Sequence, residues 1–577
     1  MTLPDPFSME TARHIWETRY RGAGEATIHA SWQRVARAIA AAENLESEHW
    51  AERFVGLLDG FRFLPGGRIL AGAGTGHRVT LFNCFVMGGI EDDLEQIFEA
   101  LKEGALTMQH GGGVGYDFSP LRPAGMAAAA TGSIASGPVS FMHIWDAMCA
   151  TLLSTGARRG AMMATLRCDH PDIETFVDAK RDPAVLRHFN LSVQVSDVFM
   201  AAVAGDRDWP LVFCGEVQRT LKARDLWQRI LRAAYDTAEP GVLFVDAINR
   251  DNTLADRETL TATNPCGEVP LPPYGACDLG SLNLTAFVTS PFAADARLDL
   301  DALADAARLA VRFLDNVIDV SRYPLPAQAE QARRTRRIGL GITGLADALV
   351  LLGLRYDSEA ARTLAAQAMQ RLRNAAYRTS IDLALEKGAF PGFEPQPFLA
   401  SGFATRLPGD LRDAIAAHGI RNSHLLAIAP AGTISLLANN CSSGIEPIFA
   451  AEAARRILGT DGTYSRHRVV DFALHLWQQQ GHSGMPPALV EARQIDPLVH
   501  LQMQAALQPY VDNAISKTIN VAAAFAFERF EALYQHAHAL GLKGCTVFRP
   551  NPVTGAILSP PPEGGRVQCC DIEREAD

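Results

Sequence analysis

The sequence predicts an α/β protein with one large body, a helical segment before it and a short tail after it. Three observations carry that prediction. Short apolar runs alternate with helix-spaced stretches through most of residues 63–550, the pattern of strands and helices packed in layers. Residues from about 10 to 60 read as helices. From Pro550 the chain changes to PNPVTGAILSPPPEGGRVQCCDIEREAD, rich in Pro and Gly and charged at its end, which reads as a mobile tail. The expected division is 1–60, 61–550 and 551–577.

The elements follow in order. SWQRVARAIAAAE (Ser31 to Glu43) has Ser31 placed as an N-cap and Val35 and Ile39 at helical spacing. FLPGGRILAGAG is a Gly/Pro loop that leads into a short apolar strand, VTLFNCFV (Val79 to Val86). EDDLEQIFEALKEGALTMQH reads as a helix with Asp92 or Asp93 near its cap, and GGGVGYDFSPLRP breaks it. DLDALADAARLAVRFLDNVIDV puts Leu303, Ala306, Ala310, Phe313 and Val317 on one face, with Asp299 as cap. HLLAIAPAGTIS (His424 to Ser435) reads as a buried strand, a tight turn and a helix start.

Composition narrows the function. The hydrophobic fraction is 48% and the charged fraction 20%, as in a globular protein. No run of about 18 apolar residues suggests a membrane span. The start, MTLPDPFSMETARHIW, has neither the basic nor the apolar region of a secretory signal, so the expected compartment is the cytoplasm. A net charge of −11 argues against nonspecific nucleic-acid binding, although backbone N–H groups at a helix start still hold a nucleotide's phosphate. Ten cysteines in a cytoplasmic chain should be mostly reduced, and any disulfide transient.

The stretch TATNPCGEVPLPPYGACDLGSLNL concentrates the chemistry. In an extended segment residues i, i+2 and i+4 share one side, so Asn264, Cys266 and Glu268 are expected together. Pro265 stiffens the loop and Gly267 lets it turn. A carboxylate beside a thiol and an amide suits a general base, a nucleophile or hydrogen abstractor, and a substrate clamp. A loop with a buried cysteine, a turn asparagine and a surface glutamate has the same pattern.

The surrounding motifs, in order, are LFNCFV, GGGVGYDFSPLRP, ARRGAMMATLRCDHPDIETFVDAK, FNLSV, GVLFVDAINRDN, NPCGE, ACDLGSLNL, RRIGLGITGLADAL, APAGTISLLANNCSSGIEP, VDNAISKTINV and KGCTVFRPN. With them the chain, from about residue 60 to 550, resembles the large catalytic chain of ribonucleotide reductases. The resemblance implies a ten-stranded α/β barrel with a central finger loop. It implies that Cys266 carries a thiyl radical that abstracts the 3′ hydrogen of a ribonucleotide, with a diphosphate as the expected form. Glu268 would take the 3′-hydroxyl proton and Asn264 would hold the substrate hydroxyls. Cys84 and Cys277 would supply two reducing equivalents and end as a disulfide. Asn83, Cys84 and Gly113 would line the substrate. Ala431, Gly432, Thr433, Ile434 and Ser435 would bind its phosphates.

A second site for a deoxynucleotide effector is implied, with Asp92, Arg122, Arg158 and Arg159 as candidates. A solvated basic pair would look the same as Arg158 and Arg159, and RRGAMMA lacks the Asn that commonly follows the Ala. Adjacent Cys569 and Cys570 in the tail would reduce the internal pair by exchange and be recharged by thioredoxin or glutaredoxin. An incidental exposed pair would look the same, and family tails often space these cysteines. A homodimer is a family expectation. Cys149, Cys168, Cys214, Cys441 and Cys545 read as core or incidental, and no complete metal-ligand set is present.

The radical source separates three classes on this barrel. There is no Tyr-Tyr pair and no tyrosine after Tyr534, as a relay from a separate subunit would need. Gly564 and Gly565 lie in no glycyl-radical loop. The HIWETRYR start and the missing N-terminal ATP cone resemble the remaining class, which uses adenosylcobalamin. The alternative is a reductase that needs a separate radical-generating subunit.

Overall fold

The computed structural model describes residues 5–127, 134–152, 161–182, 184–458 and 464–550. Helices Glu10–Ile15, Ile28–Ala40 and Ser47–Leu58 open the chain. Ile28–Ala40 is amphipathic and buries Trp32, Val35, Ala36 and Ile39. Its cap is Thr27, not Ser31: Thr27 is extended and accepts from the Ala30 N–H, whereas Ser31 lies inside the helix. The Ser31 hydroxyl is taken by Trp16 Nε1 at 2.8 Å and by Glu25, so it is unavailable as a cap. This helical layer packs on the long helix Leu300–Val320. Phe54 meets Phe313 edge-on at 5.1 Å, and Arg312 donates to Glu43 at 3.0 Å. Asp299 caps that helix as its sequence predicts, accepting from the Ala302 N–H.

Ten strands form one mixed sheet. They are β1 (Phe63–Pro65), β2 (Cys84–Val86), β3 (Gly113–Asp117), β4 (Met162–Arg167), β5 (Phe189–Val195) and β6 (Gly241–Phe244), then β7 (Ala276–Asn283), β8 (Ile338–Thr343), β9 (Thr518–Asn520) and β10 (Gly544–Phe548). The order is β1-β7-β2-β3-β4-β5-β6-β10-β9, with β8 also paired to β7. Strands β2 to β6 run parallel, and helices such as Leu94–Gln109 and Ala223–Thr237 connect them. Buried on both faces, they read as apolar runs. Two single-residue bridges extend the sheet past β8: Leu340 to Leu426, and Ile428 to Ile515. Ile515 is then only three residues short of β9.

Several sequence expectations shift here. VTLFNCFV forms a strand only over Cys84–Val86, because the backbone before it bonds elsewhere: Thr80 N–H to His110 O, and Leu81 N–H to the Ser321 hydroxyl. GGGVGYD does more than end a helix, since Gly113–Asp117 is a central strand. The run expected as a strand before APAG is reduced to the bridges at Leu426 and Ile428. Asp93, not Asp92, caps Leu94–Gln109. Among the described residues, no helix is long and apolar enough to cross a membrane.

Candidate active site

A short hairpin, Ala262–Thr263 against Pro270–Leu271, lies over β2 to β4, and its tip is Asn-Pro-Cys-Gly-Glu-Val. Glycines make room for it. A Cβ on Gly115 would sit 1.9 Å from the Thr263 carbonyl oxygen, and one on Gly113 would sit 3.1 Å from the Pro265 ring. Side chains on β4 and β5 hold the hairpin backbone. Thr165 Oγ1 donates to Thr261 O at 2.9 Å and itself accepts from Gln194 Nε2 at 3.0 Å. Asn190 Nδ2 donates to Pro265 O at 2.7 Å. The Ala514 N–H donates to Glu268 O at 2.9 Å on the far side.

We expect Gly115→Ala to displace the hairpin, because backbone rather than a flexible side chain blocks the new methyl. Turnover should fall at least about 100-fold, with helix content by circular dichroism close to native.

The tip is not extended, which corrects the alternation expected for Asn264, Cys266 and Glu268. Gly267 N–H donates back to Asn264 O at 3.1 Å, and Gly267 takes a φ of +82°. This tight turn brings residue 264 onto residue 268: Asn264 Nδ2 donates to Glu268 Oε1 at 2.8 Å. The same amide nitrogen lies 3.1 Å from Cys84 Sγ, and Cys84 Sγ lies 3.8 Å from Glu268 Oε1. Asn264, Glu268 and Cys84 are buried, while Cys266 at the turn is partly exposed. A Cβ on Gly267 would meet nothing within 4 Å, so one side of the tip is open.

Cys84 and Cys277 are direct partners across the antiparallel β2–β7 pair. Such partners have Cα atoms about 4.5–5.5 Å apart, within the range of about 4.4–6.8 Å that a disulfide spans. Both are free thiols here and fully buried. Burial pushes both thiols well above their usual range. Glu268, Cys277 and Cys266 add to the effect on Cys84, and Asp278 to that on Cys277. Burial raises the Glu268 carboxyl to about 7, against the opposing hydrogen bonds from Asn264 and Cys84. Its second oxygen, Oε2, has no hydrogen-bond partner among the described residues.

Asn83 precedes Cys84, and its carbonyl accepts from the Gly113 N–H at 2.8 Å, so these two expected substrate-lining residues adjoin the thiol pair. Ala431 caps the short helix Gly432–Leu437, which holds Thr433, Ile434 and Ser435. The Ala431 N–H donates to the Ser443 hydroxyl at 2.7 Å, and Ser435 is buried. Asp92 and Arg122 pair with each other at 2.6 Å, with a second bond from the Arg122 N–H at 3.1 Å. Arg158, Arg159, Cys569 and Cys570 lie outside the described residues. Of the other cysteines, Cys149, Cys168, Cys441 and Cys545 are buried and Cys214 is exposed. Among the described residues no group of His, Cys, Asp and Glu is arranged to hold a metal ion.

Sequence reasoning missed Asn190, Thr165, Gln194 and the space kept by Gly115. A signal existed. In FNLSVQV the polar residues Asn190, Ser192 and Gln194 alternate with apolar ones, marking a strand face that meets something polar.

The family model "Ribonucleotide reductase, all-alpha domain" matches residues 7–78, and "Ribonucleotide reductase, barrel domain" matches residues 82–548. The chain is 43% identical over 555 residues to a vitamin B12-dependent ribonucleoside-diphosphate reductase of Mycobacterium tuberculosis (strain CDC 1551 / Oshkosh), covering 91% of this chain and 76% of the relative. It is 36% identical over 532 residues to the protein of the same name from Thermoplasma acidophilum, covering 89% and 66%. The ribonucleoside-diphosphate reductase large subunit of vaccinia virus (strain Copenhagen) is 28% identical over 455 residues, covering 72% and 57%.

Proposed function

This chain belongs to the ribonucleotide reductase large-chain family, and from that premise we propose that it reduces ribonucleoside diphosphates to 2′-deoxyribonucleoside diphosphates in a vitamin B12-dependent reaction. One observation carries the reading. In a chain 43% identical to a B12-dependent reductase, a hairpin tip gathers a thiol, a buried carboxyl and an amide beside a cross-strand cysteine pair. The strand path and its two bridges support a closed ten-stranded barrel with this hairpin as its central finger, over residues 61–550, with 1–60 as the helical segment.

The residues divide the work as follows. Cys266, as a thiyl radical, removes the 3′ hydrogen of the ribose. Glu268 accepts the 3′-hydroxyl proton through Oε2, the oxygen that Asn264 does not hold. Asn264 keeps the carboxylate oriented and meets the substrate hydroxyls. The 2′ oxygen leaves as water. The two thiols of Cys84 and Cys277 supply two electrons and two protons and close to a disulfide; Glu268 gives its proton back to the 3′ oxygen and Cys266 returns the hydrogen to C3′, so the reaction balances. Their raised pKa values keep both as protonated thiols before turnover. The segment Ala431–Ser435 is assigned to the substrate phosphates.

Adenosylcobalamin, when bound, supplies the one-electron oxidation of the Cys266 thiol. The site fits such a group in one respect: Cys266 is partly exposed and a Cβ on Gly267 would meet nothing within 4 Å, so the sulfur can be approached from that side of the tip. Family membership supports three further assignments. They are a deoxynucleotide effector site near Asp92 and Arg122, a homodimer, and thioredoxin or glutaredoxin acting through Cys569 and Cys570.

The test uses the purified chain with adenosylcobalamin, dithiothreitol and a ribonucleoside diphosphate. Deoxynucleotide should form with no second polypeptide. After one turnover without dithiothreitol, peptides bearing Cys84 and Cys277 should be disulfide-linked. A strict need for a second protein chain would overturn the cofactor assignment.

A further inference from the structure

We propose that Asn190 is a positioning residue for the reaction: its side-chain amide fixes the Pro265 carbonyl and so the direction in which Cys266 presents its sulfur. This rests on the reading that Cys266 carries the radical. The Pro265 carbonyl belongs to the peptide unit that joins Pro265 to Cys266. That unit is planar, so holding its oxygen also sets the plane from which Cys266 departs. The Asn190 Nδ2 to Pro265 O bond is 2.7 Å long, and it ties the tip to the rigid strand β5.

The rest of the tip is held differently. Asn264 braces the turn from within, its Oδ1 accepting from the Val269 N–H at 3.0 Å and its backbone carbonyl from the Gly267 N–H at 3.1 Å. The base of the hairpin is held through Thr165 and Gln194. Gly267, in a left-handed conformation, has open space on its side. The Ala514 N–H holds the Glu268 carbonyl on the far side of the turn at 2.9 Å. The bond from Asn190 acts on the other side, at the peptide unit joined to the thiol residue. Hydrogen transfer between carbon and sulfur depends steeply on approach, and a shift of about 1 Å costs about 100-fold in rate.

The chemistry of the bond makes the proposal testable. A carbonyl oxygen needs a donor, which asparagine provides. An aspartate there donates only while protonated, and as a carboxylate it repels the Pro265 oxygen. Asn190→Ala should therefore lower kcat about 10- to 100-fold, with the KM for the ribonucleotide within about threefold of native. Iodoacetamide should alkylate Cys266 at a changed rate in the same variant without substrate. Asn190→Asp should approach native activity at low pH and lose it as pH rises, when each rate is divided by the native rate at that pH. A KM effect alone in Asn190→Ala would make Asn190 a substrate contact and overturn the proposal. So would native kcat in Asn190→Ala, or an activity ratio for Asn190→Asp that does not change with pH. If Asn190→Ala does not fold, the Asn190→Asp ratio decides on its own. Cys266→Ser separates the two levels: if it stays active the reading of the site fails, and if it is dead while both Asn190 variants match native, this inference alone fails.

Discussion

Cys266→Ser should abolish deoxynucleotide formation, a loss on the order of 10⁴-fold or more, while nucleotide binding stays near native. The two side chains are nearly isosteric, and Cys266 sits at a partly exposed turn, so the fold gives no reason for collapse. The difference is chemical. A serine O–H bond is much stronger than a cysteine S–H bond, so the hydroxyl is not converted to a radical under conditions that convert the thiol. Product chromatography measures the first effect and equilibrium dialysis with the substrate diphosphate the second. Full activity in this variant would sink the whole mechanism.

Glu268→Gln should lower kcat about 10²- to 10⁴-fold, the usual worth of a placed general base. It should also remove a limb from the pH profile. The carboxyl titrates at about 7 because burial disfavours its charge. Below that pH it holds a proton and cannot accept another, so native kcat should rise with pH and level off above about 7. The glutamine variant should be flat through that range.

Stability should move the opposite way. Between the unfolded value of 4.5 and about 7 the folded chain holds a proton that the unfolded chain releases. In that window this group makes native stability fall as pH rises, and chemical denaturation of Glu268→Gln should lack that contribution. An unchanged pH profile in the variant would remove Glu268 from the base role.

Local sequence rules worked where a structure depends on neighbours. Asp299 caps its helix because capping needs only the next three residues. The same rule misplaced the cap at Ser31, since Trp16 and Glu25 claim that hydroxyl from outside the helix. At the candidate site the sequence singled out residues but not their geometry. Strand alternation would put Asn264, Cys266 and Glu268 on one face. The structure instead buries the first and third through a turn closed by Gly267 and leaves the second at the rim. A glycine directly before the carboxylate fits either shape. The pairing of Cys84 with Cys277 is non-local, and only family resemblance suggested it. The partner of Asn190 was hidden for the same reason, because it is a backbone carbonyl far along the chain.

The strand order also sets a schedule for synthesis. β6, at Gly241–Phe244, pairs on one side with β5 and on the other with β10, which begins only at Gly544. At about 5–20 residues per second, a ribosome needs roughly 15–60 s to travel between them. For that time the growing chain carries an unpaired β6 edge, a template for wrong partners. The hairpin Ala262–Leu271 and both Cys84 and Cys277 have already left the ribosome by then. Nascent chains stalled before Gly544 are therefore the species that chaperones should be found to engage.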